Sequence, residues 1–402
     1  LLGLVPRKTV SGSLFSVPDE TPRTVEVGGI YSAVFSPNIL FRHEKLGSLS
    51  VAAELGDDIT SPLSPAWQHA LAGATVIARM ASFPETLSST EESLRCLQAD
   101  SKRLSCSILL AAPGRGESST DNVYSGLCAI AENGAILDLD ENDLQLAVSE
   151  ADVAFLQHLR RQRGAFSSPF KQYYTALWGS ELSETEITRS YSRHPHLPDD
   201  EADLPAYCDR MIGMQVAGLV RRMEYAHLDH CVIGISGGVD STLAVMISAL
   251  AVRQLGLPSE NVIAVTMPCF GTSSRTKNNA VVVAEQWGCE VRTINISKSV
   301  NQHFDDIGHA HDDYSIAFEN SQARMRTMVL MDIANKVNGL NVGTEDLSEY
   351  IDGWCTYNGD HTSMYDVNVG LTKTQVRAAV ARLAAATEDA VLKAALYVVL
   401  DC

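Results

Sequence analysis

The sequence predicts two α/β domains in series, the second a doubly wound parallel sheet, and three observations carry that expectation. Beyond residue 205, short apolar runs alternate with stretches whose apolar residues recur at helical spacing, the pattern of right-handed βαβ units on a parallel sheet. Within that pattern, residues 230–255 (HCVIGISGGVDSTLAVMISALAVRQL) are a strand broken by Ser236-Gly237-Gly238 and continued as a helix. The length, 402 residues with 45% hydrophobic and 20% charged side chains, suits two or three compact soluble domains.

Taken in order, residues 1–163 alternate apolar runs (30–35, 49–53, 74–78, 107–112 and 126–131) with polar stretches, and 67–71 and 91–103 are candidate helices. This is an α/β domain with a sheet. Residues 164–204, which include SSPF, SELSETEITRSYS and HPHLPDDEADLP, lack sustained periodicity and are expected to connect the domains. In 205–402 a first helix is predicted over 207–225, where Ile212, Val216, Leu219, Val220 and Met223 share one side. Strands are predicted at 231–235, 262–267, 290–296 and 340–343, with helices beginning at Asp240 and covering 276–288 and 321–338. In such sheets ligands bind beyond the carboxyl ends of the strands, here at 236–241, 268–272 and 344–349.

The glycine turn narrows the ligand. Adjacent glycines let the backbone approach it closely, and the N–H groups and positive dipole end at a helix start favour an anion. The loop has no lysine in the GxxxxGK[ST] position, so that phosphate loop is excluded. Asp240 stands there instead, and a carboxylate beside phosphate is reconciled by a shared magnesium ion, unless Asp240 only caps the helix. The segment SGGVDS resembles the pyrophosphate loop of enzymes that split ATP between its α- and β-phosphates, which makes Gly234, Ile235, Ser236, Gly237, Gly238, Val239, Asp240 and Ser241 the expected ATP contacts.

Further blocks follow in order: TMPCFGTSSRT (266–276), ENSQARMRTMVLMDIANK (319–336), VGTEDLSEYIDGWCTYNGDH (342–361) and LTKTQVR (371–377). With SGGVDS, they make the second half resemble the synthetase domain of glutamine-dependent NAD(+) synthetases. The resemblance implies adenylation of the nicotinate carboxylate of deamido-NAD(+) by ATP, loss of pyrophosphate, and attack by ammonia. It places Thr344 and Lys373 on ATP, Asp240 and Glu349 on magnesium, Asp240 and Lys373 at the catalytic step, and Asn320, Arg324, Glu349, Trp354 and Asp360 on deamido-NAD(+). Attack of a carboxylate on phosphorus brings two anions together and needs such positive charge. Read as plain sequence, Arg324 and Arg326 could equally be a solvated helix face, Trp354 core and Glu349 a surface charge. Two positions depart from the family pattern: Glu345, usually glycine, and Cys269, usually glycine.

The first domain resembles the nitrilase-like glutaminase domain of the same family through LGLVPRKT (2–9), VAAELGDDITSP (51–62), LAGATVI (71–77) and GESSTDNVYSG (116–126). Such amidases use a Glu/Lys/Cys triad. Here the lysine position falls on Arg7 or Lys8 and the cysteine position on Gly56, which carries no nucleophile. Cys96, Cys106 and Cys128 are expected to be buried structural thiols. The resemblance thus implies ammonia, rather than glutamine, as nitrogen source.

A net charge of −18 argues against a nucleic-acid surface, and nine cysteines without a CxxC pair suit a reducing, cytoplasmic setting. No apolar run reaches the roughly 18 residues of a membrane span. The chain begins at Leu1 and ends at Cys402, where the family continues, so it reads as part of a longer protein, expected to be a homo-oligomer. A non-catalytic assembly subunit and another pyrophosphate-loop ligase remain as alternatives.

Overall fold

The protein is described from a computed structural model covering residues 2–4, 21–29, 31–81, 84–117, 121–140, 146–166, 173–184, 186–270 and 274–401. It forms two compact units, residues 1–190 and 191–402.

In the first unit β1 (Leu2–Leu4), β2 (Arg23–Val27) and β3 (Tyr31–Ser36) make a three-stranded sheet. The larger sheet has seven strands: β4 (Ile39–His43), β5 (Ser50–Leu55), β6 (Val76–Met80), β7 (Ser107–Ala111), β8 (Cys128–Glu132), β9 (Ala135–Asp140) and β10 (Tyr174–Trp178), in the order β10-β4-β5-β6-β7-β8-β9. Its centre, β5-β6-β7, is parallel, and its flanks include antiparallel pairs. Helices α1 (Ala66–Ala72), α2 (Ser89–Leu104) and α3 (Val153–Gln162) complete the unit. Ala52, Ile77 and Ile108 from adjacent strands pack with Ala66, Ala70 and Leu97 from α1 and α2.

Strand β10 lies inside the stretch expected as a connection. Its residues are mostly exposed and it pairs with β4 at the sheet edge, so it carries no apolar alternation. Further on, Arg189 ion-pairs with Glu132 at 2.6 Å and the Glu150 carboxylate accepts from Thr188 and Arg189. The chain therefore stays with the first unit to residue 190.

The second unit opens with α4 (Leu204–Ala226), then runs β11 (His230–Gly234), α5 (Val239–Gln254), β12 (Val262–Thr266), α6 (Ser274–Gln286), β13 (Glu290–Thr293), α7 (Ser297–Ile307), α8 (Ile316–Lys336), β14 (Gly339–Gly343), α9 (Leu347–Asp352), β15 (Tyr365–Asp366), α10 (Lys373–Ala386) and α11 (Ala390–Leu400). Every pairing in its sheet is parallel, in the order β13-β12-β11-β14-β15. Alternate strand residues feed two cores: Cys231, Ile233, Val262 and Ala264 pack against α4, α5, α10 and α11, while Val232, Ile263 and Val265 pack against α7 and α8. Helices on both faces make this the doubly wound sheet that the sequence predicts. Helix α5 is apolar nearly all round because it is buried nearly all round, with Leu243, Ala244, Met246 and Ile247 fully enclosed.

The strand order reverses between β11 and β14, so the crevice beyond their carboxyl ends is where a doubly wound sheet binds its ligand. Among the described residues no helix is long and apolar enough to cross a membrane.

Candidate active site

Strand β11 delivers the glycine turn to that crevice. Gly237 has φ +93°, a left-handed conformation open to glycine, and Gly238 is the N-cap of α5. The turn is internally laced: Ser241 Oγ accepts from the Ser236 N–H at 3.3 Å and donates to the Gly238 carbonyl at 3.2 Å, and Ser236 Oγ accepts from the Gly238 N–H at 3.2 Å. Asp240 is no helix cap. It lies inside the first turn of α5, and its Oδ2 accepts from Lys373 Nζ at 2.8 Å.

Lys373 is the centre of the charged cluster. Besides Asp240, its ammonium meets Asp346 Oδ2 at 2.9 Å and Glu349 Oε1 at 3.0 Å. A cation at a helix N-terminus opposes the helix dipole, and these carboxylates supply the compensation. The Lys373 N–H donates to Ser348 Oγ at 3.1 Å, and a capping box joins Thr372 and Gln375, so the start of α10 is fixed. Burial works against the lysine charge, but the three carboxylates outweigh it and hold the ammonium protonated well above the ordinary lysine range. For Asp240 the balance is reversed: burial raises its pKa, Lys373 opposes that, and Glu349 and Asp346 add to it.

Next to this cluster a cavity of about 330 Å³ opens between the strand ends and α8. Gly234, Ile235 and Ser236 line it from the end of β11 and the turn after it, Thr344 from just past β14, Arg326 and Thr327 from α8, and Asp360 from the loop after α9. That loop is fastened to α8: Thr356 Oγ1 donates to Asn320 Oδ1 at 3.0 Å, Arg324 Nε to the Tyr357 carbonyl at 3.0 Å, and Thr327 Oγ1 to the Gly359 carbonyl at 2.7 Å. Asp360 accepts from the Thr356 N–H at 2.7 Å. Trp354 is 79% exposed and so is not a core residue.

Asp240, Glu349 and Lys373 thus come together, Gly234–Ser236 and Thr344 face the cavity with Asp360, and Asn320 and Arg324 stand on α8 beside its loop. The sequence reading missed Asp346, fully buried, which caps α9 through the Glu349 N–H and reaches Lys373 with its other oxygen. It also missed Asn368 and Asp366 behind the strand ends. Burial, opposed by the Asn368 N–H and reinforced by the Glu345 charge, pushes the Asp366 carboxyl up to about 6. Glu345, where the family pattern has glycine, donates its N–H to Asp366 Oδ2 at 3.2 Å, and β14 still ends at Gly343. Cys269 is half-buried against the α7 and α8 core.

Residues 211–394 match the NAD synthase family model. This segment belongs to the NAD synthase family. The chain is 33% identical over 372 residues to the glutamine-dependent NAD(+) synthetase of Mycobacterium tuberculosis (strain ATCC 25618 / H37Rv), covering 88% of this chain and 54% of that protein. It is 34% identical over 158 residues to the NH(3)-dependent NAD(+) synthetase of Thermococcus kodakarensis, covering 39% of this chain and 59% of that one. Among solved structures, the glutamine-dependent NAD+ synthetase of Acinetobacter baumannii, in complex with ADP, aligns at 19% identity and TM-score 0.45 over 98% of this chain and 64% of that one. The chain spans about half the length of the curated mycobacterial glutamine-dependent NAD(+) synthetases it matches.

Ahead of the NAD synthase segment, Gly56 follows β5 with φ +56° and offers no side chain. Arg7 and Lys8 lie outside the described residues. Of the thiols expected to be buried, Cys106 is: burial pushes its pKa up to about 11 and Arg160 Nη2 donates to its sulfur at 2.8 Å. Cys128 is half-buried. Cys96 is exposed, because α2 turns Leu97, Ser101 and Leu104 inward and leaves position 96 on the outer side.

Proposed function

We propose that the NAD synthase segment amidates deamido-NAD(+) to NAD(+) through an adenylated intermediate, taking ATP and free ammonia as co-substrates. The single observation that carries this reading is Lys373 held by Asp240, Asp346 and Glu349 beside the glycine turn, at the point where the strand order reverses. Loop backbone, Thr344 and Lys373 would bind the ATP phosphates, and the cation would offset the charge that builds as the nicotinate carboxylate meets the α-phosphorus. Arg326, Asn320, Arg324 and Asp360 lie where the dinucleotide would align in line with it, and exposed Trp354 offers a face for a ring to stack on.

Among the described residues no three His, Cys, Asp or Glu side chains are arranged to hold a metal by themselves. Magnesium does not need three, since one or two carboxylates plus phosphate oxygens suffice. Asp240 Oδ1 is buried and has no hydrogen-bond partner among the described residues, which leaves a hard oxygen for a cation bound to ATP, with Glu349 as the second. When bound, magnesium would neutralise charge on the phosphates; the residues of the chain do the positioning.

Gly56, without a side chain to act as nucleophile, supports ammonia as the nitrogen source. NAD(+) formation from deamido-NAD(+) and ATP should run with ammonium chloride and not with glutamine. Glutamine-supported turnover in a preparation free of contaminating amidase would overturn the ammonia reading, and no turnover with either source would overturn the ligase reading.

Arg324 gives a second expected result. Its planar fork suits an anionic group of the dinucleotide better than an ammonium does. Arg324→Lys should weaken deamido-NAD(+) binding by about 10- to 100-fold and leave ATP affinity unchanged. Titration calorimetry with each ligand separates this from a general loss, and an unchanged deamido-NAD(+) affinity would return Arg324 to the solvated helix face.

A further inference from the structure

In this reading the ATP contacts include Asp240, in the first turn of α5 after β11, and Thr344, just past the end of β14. What joins them is a third residue, Asn368, which lies just past the edge strand β15 and is fully buried. Its Nδ2 donates to the Asp240 carbonyl at 3.0 Å and to the Thr344 carbonyl at 3.2 Å. Its Oδ1 accepts from Gln215 Nε2 at 3.1 Å, and its own N–H donates to Asp366 Oδ1 at 3.0 Å. Gln215, on α4, also donates to the Val367 carbonyl at 2.9 Å. The orientation of the carboxamide follows from its neighbours, because both partners of the nitrogen are carbonyl oxygens, which only accept, and the partner of the oxygen is an NH₂ group, which only donates.

We propose that Asn368 is a positioning residue for the phosphate site: one carboxamide, braced by Gln215, sets the separation between the turn that carries Asp240 and the strand end that carries Thr344. The proposal rests on the reading of this crevice as an ATP site. Asn368 does not itself line the cavity, and it meets Asp240 and Thr344 at their backbone carbonyls, so its effect is exerted through those two groups. A buried carbonyl that loses its donor incurs a desolvation cost, and here the structure relieves that cost by moving one strand end relative to the other. Such a movement misplaces ATP, which spans the two ends, more than a dinucleotide held on α8 and the following loop.

Asn368→Asp tests this with little change in shape. It replaces the donor with an oxygen facing two carbonyl oxygens. In calorimetry with ATP and magnesium, the variant should bind ATP about 10- to 100-fold more weakly than wild type, while deamido-NAD(+) affinity changes less than about threefold. An equal loss for both ligands, or unchanged ATP affinity in the folded variant, would overturn the proposal and leave Asn368 a general stabiliser. If Asn368→Asp does not fold, Gln215→Met leaves the carboxamide in place and removes its brace together with the bond to the Val367 carbonyl. It should show the same selectivity at about three- to tenfold, and the same two outcomes would count against the proposal. Wild type is measured first: if it binds no ATP, the ATP-site reading itself fails, independently of either variant.

Discussion

Lys373→Met should lower kcat/KM for ATP by roughly 10²–10³, the loss typical of one electrostatic contact aimed at charge that builds in the transition state. The reasoning starts from the apo cluster. Three carboxylates share one ammonium, so deleting the cation leaves Asp240, Asp346 and Glu349 facing one another. Without the lysine that opposes it, the rise that burial and the neighbouring carboxylates impose on the Asp240 pKa grows. A carboxylate whose folded pKa is raised stabilises the fold below its unfolded pKa and loses that contribution as pH rises through the folded value. The variant should therefore unfold nearly as wild type does near pH 4 and fall progressively behind toward pH 7. In wild type the lysine contribution is intact at neutral pH and fades only as pH rises above the ordinary lysine range, because its folded pKa is raised. Denaturant midpoints measured across pH 4–8 report both effects; parallel curves for the two proteins would mean that the cluster carries no net charge coupling.

How much of this was legible follows from what kind of signal each element leaves. Strands β11, β12 and β14 are buried on both faces, so β11 and β12 appear as short apolar runs and β14 as one broken only by Asn341, and the glycine turn identifies itself because few backbones need two adjacent glycines. Edge strand β15 is two residues long, and β10 is mostly exposed; neither leaves a periodicity to read. Helix α11 is short and strongly apolar, a pattern that also fits a buried strand.

The candidate site divides in the same way. Asp240 and Lys373 stand in motifs whose composition alone is unusual. Asp346 had a signal, the D-x-x-E spacing of Asp346 and Glu349 ahead of a helical stretch, which marks a cap, though not a cap whose second oxygen serves a lysine 27 positions away. The T-x-x-Q spacing of Thr372 and Gln375 likewise announced the start of α10. Asn368 had none. Asn after an edge strand reads as a turn residue, and only the fold brings it behind both Asp240 and Thr344.

Gly343→Ala should be the most damaging single methyl in the second unit. A Cβ built at Gly343 would stand 2.5 Å from Asp366 Oδ2, 2.5 Å from Ser363 Oγ and 2.8 Å from Asp366 Cγ, closer than unstrained atoms approach. The aspartate cannot simply rotate away, since its oxygens accept from the Asn368 and Glu345 N–H groups at 3.0 and 3.2 Å. Either the strand end shifts or those two hydrogen bonds break, and overpacking of this kind costs about 1–3 kcal/mol. Because Asp366 anchors the segment that carries Asn368, the disturbance passes to Asp240 and Thr344, and ATP affinity should fall at least tenfold along with stability. Gly370→Ala is the control: a Cβ there meets nothing within 4 Å, so it should stay within about 0.5 kcal/mol of wild type. Equal denaturation midpoints and equal ATP affinities for the two alanine variants would show that Asp366 moves freely and that the strand ends are held together by something other than this segment.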